Sequence, residues 1–243
     1  MQLKIDVKSI REVLNLLNVL IYEAKVDFTP DGLSIRVMDT ARISMMKVEV
    51  KKDAFQEYNV ETETSVGLDI GPLKNFLKIV SQENVMEISI DNENISVKVG
   101  NLSAKFKLID PDAITVPRIP AMTHSNGFVI DKSTLLKGIK AAETISNVVK
   151  FSNNSAGVKI SAKGESELET IDMEIPKESV KDLVYASDVK SSFLLEYLLK
   201  FIQVVESAVD LRVQLSNDYP IQIGGKFLNG KGDVTFLLAP RID

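Results

Sequence analysis

The sequence of 243 residues contains no cysteine and a single histidine, His124. Without cysteine there is no disulfide and no thiolate metal site, which fits a reducing compartment. His124 lies in a proline-rich segment, and one imidazole cannot form a multi-histidine metal site, so we expect neither a His-based catalytic triad nor a metal. The sequence therefore predicts a protein without a cofactor.

Long apolar runs are missing as well. No stretch approaches the roughly 18 apolar residues of a membrane span, and the opening MQLKIDVKSI carries charges where a secretory signal needs an apolar core. We expect a soluble protein that contacts no membrane and is not secreted. It would be cytoplasmic and nucleoid-associated in a prokaryote, or nuclear in a eukaryote.

What the chain does contain is a repeated pattern with one offset of 125 residues. Apolar positions recur in phase over four pairs of segments, which identifies an internal repeat. The paired segments begin at Ile5 and Ile130, Gly32 and Gly157, Leu73 and Leu198, and Met86 and Leu211. We predict an N-terminal domain at residues 1–112 and a C-terminal domain at 128–243. A connecting strap at 113–127 lies in the proline-containing segment IDPDAITVPRIPAMTHSNG.

Each half shows the same order of elements. A strand is followed by a helix, then alternating strands, a second helix and further strands. The first helix is predicted at residues 9–24, and the second starts at GPLKNFL, with Pro72 in its first turn. Two helices on antiparallel sheets in each half make this an α+β protein of two similar domains.

The four helices carry cations on their polar faces. Around a helical wheel the polar positions include six lysines or arginines and one glutamate, Glu196, although the whole chain has a net charge of −5. The first helix also places Asn18 and Tyr22 on this side. A cationic set of helices on an otherwise acidic chain suits a polyanion held at one surface. The candidate DNA-contacting residues are Arg11, Asn15, Lys74, Lys78, Lys137, Lys140, Lys200 and Gln203.

Neither base-reading motifs nor catalytic constellations accompany these faces. There is no recognition-helix, zinc-finger or aromatic ribonucleoprotein signature, so contact with phosphates would be independent of sequence. The segment Gly225–Gly232 resembles a phosphate-binding loop but lacks the final Ser or Thr and indicates a hairpin. Asp39, Asp69 and Asp110 are typical of turns or caps. Nothing here supports an enzyme.

The segment VLNLLNVLIYEAKVDFTPDGLSIRVMDTARISMMKVEV resembles the opening of the archaeal and eukaryotic sliding clamps, the proliferating cell nuclear antigen family. LKNFLKIV, VPRIP, YLLKFI, DYPIQIGGKF and the closing FLLAPRID follow in the family's order. The resemblance covers essentially the whole chain, and MDTARISM and LLAPRI are its most specific pieces. It implies the DNA clamp fold and a non-enzymatic processivity factor.

The resemblance also implies an assembly. Three chains would join head to tail into a closed ring that encircles duplex DNA and slides on it, with the helices lining the hole. The ring would tether a DNA polymerase and other replication and repair proteins. The resemblance places the subunit interface on two edge strands, through Ala104, Phe106, Leu108, Thr170, Ile171 and Met173.

Client proteins of this family insert short peptides into an apolar pocket. The resemblance implies that the clamp loader, polymerase, flap nuclease and ligase bind there. Methionines at such a surface adapt to varied partners. The pocket residues would be Met38, Arg42, Ile43, Met45, Ile119, Pro120, Pro220, Leu237, Ala239, Pro240 and Ile242.

Two alternatives stay open on the sequence. The chain could be one subunit of a heterotrimeric ring, since complementarity of its edges to itself is not readable from one sequence. It could also be a two-domain scaffold for protein interactions that never meets DNA.

Overall fold

The chain divides into two compact units in the computed structural model, which describes residues 1–166 and 168–242. The first unit comprises Met1–Ile119 together with Phe227–Val234, and the second comprises Pro120–Lys226 together with the residues from Thr235 onward. No helix in the described part of the chain is both long and apolar enough to cross a membrane.

The first unit places two helices beside antiparallel strands. One sheet has the strand order β5-β1-β7-β8-β9, and a second run of strands has the order β4-β3-β2-β6. The elements are β1 (Gln2–Asp6), α1 (Val7–Leu17), β2 (Glu23–Thr29), β3 (Gly32–Met38), β4 (Ser44–Lys51), β5 (Glu57–Asn59), β6 (Thr64–Asp69), α2 (Ile70–Lys78), β7 (Val85–Ile90), β8 (Asn94–Val99) and β9 (Leu102–Lys107).

The second unit repeats this plan. Its strands form one run in the order β14-β10-β16-β17 and a four-stranded sheet in the order β13-β12-β11-β15. The elements are β10 (Asn126–Asp131), α3 (Lys132–Glu143), β11 (Val148–Asn154), β12 (Gly157–Lys163), β13 (Thr170–Pro176), β14 (Lys181–Val184), β15 (Val189–Leu194), α4 (Leu195–Val204), β16 (Asp210–Leu215), β17 (Ile221–Phe227) and β18 (Gly232–Leu238). Residue 227 of β17 and residues 232–234 of β18 belong to the first unit.

The offset of 125 residues reappears in the elements themselves. Helix α1 starts at Val7 and α3 at Lys132, while α2 starts at Ile70 and α4 at Leu195. The same offset separates the starts of β2 and β11, of β3 and β12, of β6 and β15, and of β7 and β16. The two units are therefore copies of one pattern of elements.

Two equivalent glycines show how closely the repeats agree. Gly32 begins β3 with φ of +148°, and Gly157 begins β12 with φ of +149°. A Cβ at Gly32 would overlap the carbonyl oxygen of Val50, and one at Gly157 would overlap that of Ile175. Since other residues rarely adopt this φ, each repeat needs glycine as the first residue of this strand.

Apolar helix faces fill the core of each unit. In the first unit, Val13, Leu16 and Leu17 of α1 are buried, as are Leu73 and Leu77 of α2. In the second unit the buried set includes Leu135 and Ile139 of α3 and Leu198, Phe201 and Ile202 of α4. Full burial of such a side chain contributes about 1.5–3 kcal/mol. These faces are opposite the polar positions, as the helical wheels predicted.

The first helix is shorter than predicted. It ends at Leu17 with Asn18 as its C-cap, and Ala24 belongs to β2, where it pairs with Leu68 of β6. Pairing with β6 stabilises an extended chain from Glu23 onward, so tertiary context overrides helix propensity. Tyr22 consequently lies outside the helix and does not share its polar face, although its ring is exposed.

Candidate nucleic-acid interface

The predicted DNA-contacting residues of the first unit lie on α1 and α2, which contact each other. Lys78 is exposed, whereas Asn15 and Lys74 are half-buried. The Lys78 ammonium donates to the side-chain oxygen of Asn75 at 3.0 Å. Burial lowers the pKa of Lys74, and the neighbouring charge of Lys78 lowers it further. A bound anion would relieve this repulsion, which makes the pair suitable for a phosphate.

Arg11 was predicted to contact DNA, but its guanidinium also forms hydrogen bonds within the protein. Its guanidinium is half-buried and donates to the carbonyl oxygens of Leu77 and, at 3.2 Å, of Val80. The last carbonyls of a helix lack intrahelical partners and carry partial negative charge, so a cation stabilises them. Arg11 therefore ties α1 to the C-terminal end of α2, and part of its donor capacity is used within the fold.

The second unit uses the same device through a residue that sequence reasoning missed. Lys132, at the start of α3, donates to the carbonyl oxygens of Val205 at 2.6 Å and Glu206 at 2.8 Å, beyond the last turn of α4. The cation comes from the first helix of the unit and binds at the end of the second, as in the first unit. The sequence signal for this role is only a basic residue on a helix that packs against another helix end.

The predicted DNA-contacting residues of the second unit lie on α3 and α4, which also contact each other. Lys137 and Lys140 are exposed on α3 and form no ion pair with the described residues. On α4, Lys200 pairs with Glu196 at 3.3 Å, and Gln203 is exposed. Among the predicted DNA-contacting lysines of this helix pair, Lys137 and Lys140 are thus the two without an ion pair to a described residue.

The two strands predicted to join subunits both lie at sheet edges. β9 is the last strand of its five-stranded sheet and β13 the first of its four-stranded sheet, so neither is internal to a sheet. On β9, Phe106 is half-buried against Phe76, with ring centroids 6.4 Å apart. An uncovered edge presents unpaired backbone groups that another chain can bond. The remaining predicted interface residues are Ala104, Leu108, Thr170, Ile171 and Met173, of which Thr170 is exposed and the others half-buried.

One part of the predicted client pocket is a tight loop between β3 and β4. The buried carboxylate of Asp39 accepts hydrogen bonds from the amides of Ala41 at 3.1 Å, Ile43 at 3.0 Å and Ser44 at 2.7 Å. Arg42 has a φ of +58° and is exposed. Asp39 thus has the turn-forming role that its position in the sequence indicated. The half-buried pocket residues of the first unit are Met38, Ile43, Met45 and Ile119.

The pocket residues of the second unit differ widely in exposure. Leu237 is only 5% exposed in β18, whereas Ile242 is 76% exposed. The backbone amide of Arg241 donates to the carbonyl of Ser192 at 2.7 Å, which fixes the C-terminal segment against β15. Pro220 accepts a hydrogen bond from Nε2 of His124 at 2.9 Å. The more accessible residues are Pro120, Pro220, Ala239, Pro240 and Ile242.

The candidate phosphate-binding segment of the sequence lies between two strands. The glycine-containing segment 225–232 is the end of β17, a short turn and the start of β18, so no helix follows it. In residues 1–166 and 168–242, no group of three His, Asp or Glu side chains could hold a metal ion.

Comparison with known proteins decides the family. The N-terminal domain of proliferating cell nuclear antigen matches residues 2–111. The DNA polymerase sliding clamp of Thermoplasma acidophilum is 33% identical over 245 residues, which cover 100% of this chain and 99% of that protein. The chain belongs to the proliferating cell nuclear antigen family.

Solved structures place this sliding clamp on the same fold. A. fulgidus PCNA bound to the C-terminal region of FEN-1 superposes with a TM-score of 0.94 at 30% identity, covering 100% of this chain and 98% of that one. PCNA from Thermococcus kodakaraensis superposes with a TM-score of 0.88 at 21% identity, covering 99% of each chain, and shows the shared fold. The predicted α+β clamp fold, the family and the function as a sliding clamp are confirmed. The lining, pocket and edge assignments in this clamp stay predictions.

Proposed function

We propose that three copies of this sliding clamp close into a ring, with β9 of one copy paired to β13 of the next. The observation that carries this proposal is that both strands are sheet edges. Pairing removes two exposed edges at once, and a head-to-tail contact closes into a ring when its rotation permits. The same surface would be used in all three junctions.

The ring would hold duplex DNA against its helices without reading the sequence. Lys74, Lys78, Lys137 and Lys140 supply cations for phosphates, and the neighbouring Asn15 and Gln203 supply neutral hydrogen-bond donors. Arg11 and Lys200 contribute less, because the first is bound at a helix end and the second is paired. The clamp would act without catalysis of its own, by keeping a polymerase at high effective concentration.

Clients would dock through short peptides. The loop organised by Asp39 in the first unit and residues 239–242 in the second would each offer apolar side chains and backbone groups to a client peptide. The related A. fulgidus clamp was solved with the C-terminal region of FEN-1 bound. We propose that a flap nuclease, DNA ligase, polymerase and the clamp loader use this same mode here.

Two measurements test the proposal. Light scattering of the purified chain should give about three times the 26.9 kDa of one chain; a persistent monomer would instead favour one subunit of a heterotrimeric ring. Once loaded on nicked circular DNA, the protein should remain bound and should dissociate when the circle is cut. Equal dissociation from circular and linear DNA would support a scaffold that does not encircle DNA.

A further inference from the structure

The outer side of the four-stranded sheet in the second unit carries a row of lysines. β11 pairs Lys150 with Ser161 of β12 and with Ser192 of β15, and it pairs Ser152 with Lys190 of β15. Extending the β11–β12 register by two residues places Lys163 beside Val148, and both line the same groove. Since Val148, Lys150 and Ser152 are successive residues on one side of β11, Lys163, Lys150 and Lys190 follow a diagonal across three adjacent strands. Diagonal neighbours on such a sheet are about 7–8 Å apart.

These three lysines, the lysine row, line one open groove of about 670 Å³. All three are exposed, and none has an ion-pair or side-chain hydrogen-bond partner among residues 1–166 and 168–242. Neighbouring lysines of the row are separated by about the Debye length of roughly 8 Å at physiological salt, so their charges are only partly screened and repel one another. An anionic ligand would relieve that repulsion. Three hydroxyl groups lie beside the row and can donate to the same ligand: Ser152, Ser161 and Ser192.

The first repeat lacks this row. At the equivalent positions, 125 residues earlier, it has Met38, Lys25 and Ser65, and Lys25 is paired with Asp112 at 3.4 Å. The position equivalent to Ser161 holds Arg36, which is paired with Asp27 at 3.5 Å. The same sheet face is therefore charge-paired in one unit and left with unpaired cations in the other. This is a second concentration of positive charge, and it lies outside the helices, where the sequence predicts a net negative charge.

The margin of the groove restricts what can bind. Lys159 is already paired with Asp172 at 3.1 Å and lies 3.9 Å from Glu174, so one corner is acidic. Duplex DNA carries one charge per about 1.7 Å of its axis and would press phosphates against these carboxylates. Single strands bind by stacking on aromatic rings, and no aromatic side chain is among the described residues that line the groove.

We propose that the lysine row binds an extended acidic segment of a partner protein. In an extended peptide the side chains on one side repeat every two residues, or about 6.6 Å. Carboxylates at alternate positions would therefore meet Lys163, Lys150 and Lys190 in turn while avoiding Asp172 and Glu174. This contact lies outside the candidate client pocket, and its groove borders β13, the strand proposed to pair with the next copy.

Fluorescence anisotropy at low salt tests the proposal with two labelled peptides of one composition. Fluorescein-Gly-Glu-Thr-Glu-Thr-Glu-Gly-amide has alternating glutamates, and fluorescein-Gly-Thr-Glu-Glu-Glu-Thr-Gly-amide has adjacent ones. The alternating peptide should bind the full-length protein several-fold more tightly, because its carboxylates match the diagonal. Equal binding of the two peptides would show general charge attraction and overturn the proposal.

Matched variants assign the binding to the row. Lys150→Gln, Lys163→Gln and Lys190→Gln together should weaken binding of the alternating peptide about tenfold, the scale expected for three exposed ion pairs. Lys51→Gln, Lys98→Gln and Lys226→Gln remove the same charge from other exposed positions and should change it less than twofold. Equal losses in both variants would refute the proposal. So would a loss of affinity for a 30-base-pair duplex in the first variant with unchanged peptide binding, which would assign the row to nucleic acid.

Discussion

Asp6 and Asp131 hold equivalent positions in the two repeats but act differently. The Asp131 carboxylate accepts from the amide of Thr134 at 2.9 Å at the start of α3, whereas the Asp6 side chain accepts from Gln56 and caps no helix amide. We predict that Asp131→Ala lowers the free energy of unfolding by about 1 kcal/mol, the usual value of an N-cap. Asp6→Ala should cost less than half as much. Urea denaturation of both variants measures the difference, and equal losses would contradict the cap assignment.

The same cap should make stability depend on pH. Hydrogen bonds from the Ser133 hydroxyl and then from the Thr134 amide lower the pKa of Asp131 below its ordinary value of 3.8. Because the folded-state pKa is depressed, the ionic part of this stabilisation is present above pH 3.8 and is lost as the pH falls through the folded-state value. The gap in unfolding free energy between wild type and Asp131→Ala should therefore narrow from pH 6 to pH 3. A gap that stays constant over this range would show that the carboxylate charge is not involved.

Tyr58 should ionise well above the ordinary tyrosine pKa of 10.0. Burial raises its pKa to about 12, and its hydroxyl donates to the carbonyl of Thr29 at 2.8 Å. Since the folded-state value is above the unfolded one, stability from neutral Tyr58 is complete below pH 10 and is lost as the pH rises toward 12. Tyrosinate absorbance should show a late-titrating component that Tyr58→Phe removes. If the curve of Tyr58→Phe differed from that of the wild type only by one fewer group titrating near pH 10, the raised pKa of Tyr58 would be wrong.

At the scale of single elements, the edge of β9 can be tested by a charge. Ala104→Glu should break the trimer into monomers, because it places a carboxylate at the proposed junction. Asn59→Glu puts the same charge on β5, at the opposite edge of the same sheet, and should leave the trimer intact. Light scattering gives the assembly state, and circular dichroism checks that both variants are folded. If Asn59→Glu dissociated the trimer and Ala104→Glu did not, the junction would lie at β5 and the assignment to β9 would be wrong.

The loop between β3 and β4 and the strand β18 should respond differently to truncation. Ile43 is half-buried and available to a client peptide, so Ile43→Ala should weaken binding of a flap-nuclease C-terminal peptide by about 1 kcal/mol. Leu237 is almost fully buried, so Leu237→Ala should mainly lower the free energy of unfolding, by about 2–5 kcal/mol. Calorimetry and urea denaturation separate the two effects. Full peptide affinity in Ile43→Ala would remove that residue from the pocket.

The elements also show what the sequence could reveal. The spacing of apolar residues and their recurrence at an offset of 125 residues can be read directly from the sequence, so they predicted the helices, the hairpins and the repeat. The end of α1 was missed because pairing of Ala24 with Leu68 decides it, and that contact spans distant residues. The lysine row required the register of three strands, and the roles of Arg11 and Lys132 required knowing where another helix ends. Sequence patterns report the face of an element but not its neighbours.

For the whole molecule, charge on the helices should govern the interaction with DNA. Reversing Lys74, Lys78, Lys137 and Lys140 to Glu would turn the unpaired cations of both helix pairs into anions. Because phosphate contacts supply most non-specific affinity, loading and DNA-stimulated synthesis should fall at least tenfold, with a weaker dependence on salt. The trimer should survive, since β9 and β13 are unchanged.

A matched variant distinguishes this effect from a general loss of positive charge. Four exposed lysines lie outside α1, α2, α3 and α4, and reversing them changes the net charge equally: Lys51, Lys98, Lys177 and Lys226. If DNA is held by the helices, this second variant should retain most of the stimulated synthesis of the wild type. Equal impairment of the two variants would mean that net charge, rather than its position on the four helices, controls the encounter with DNA.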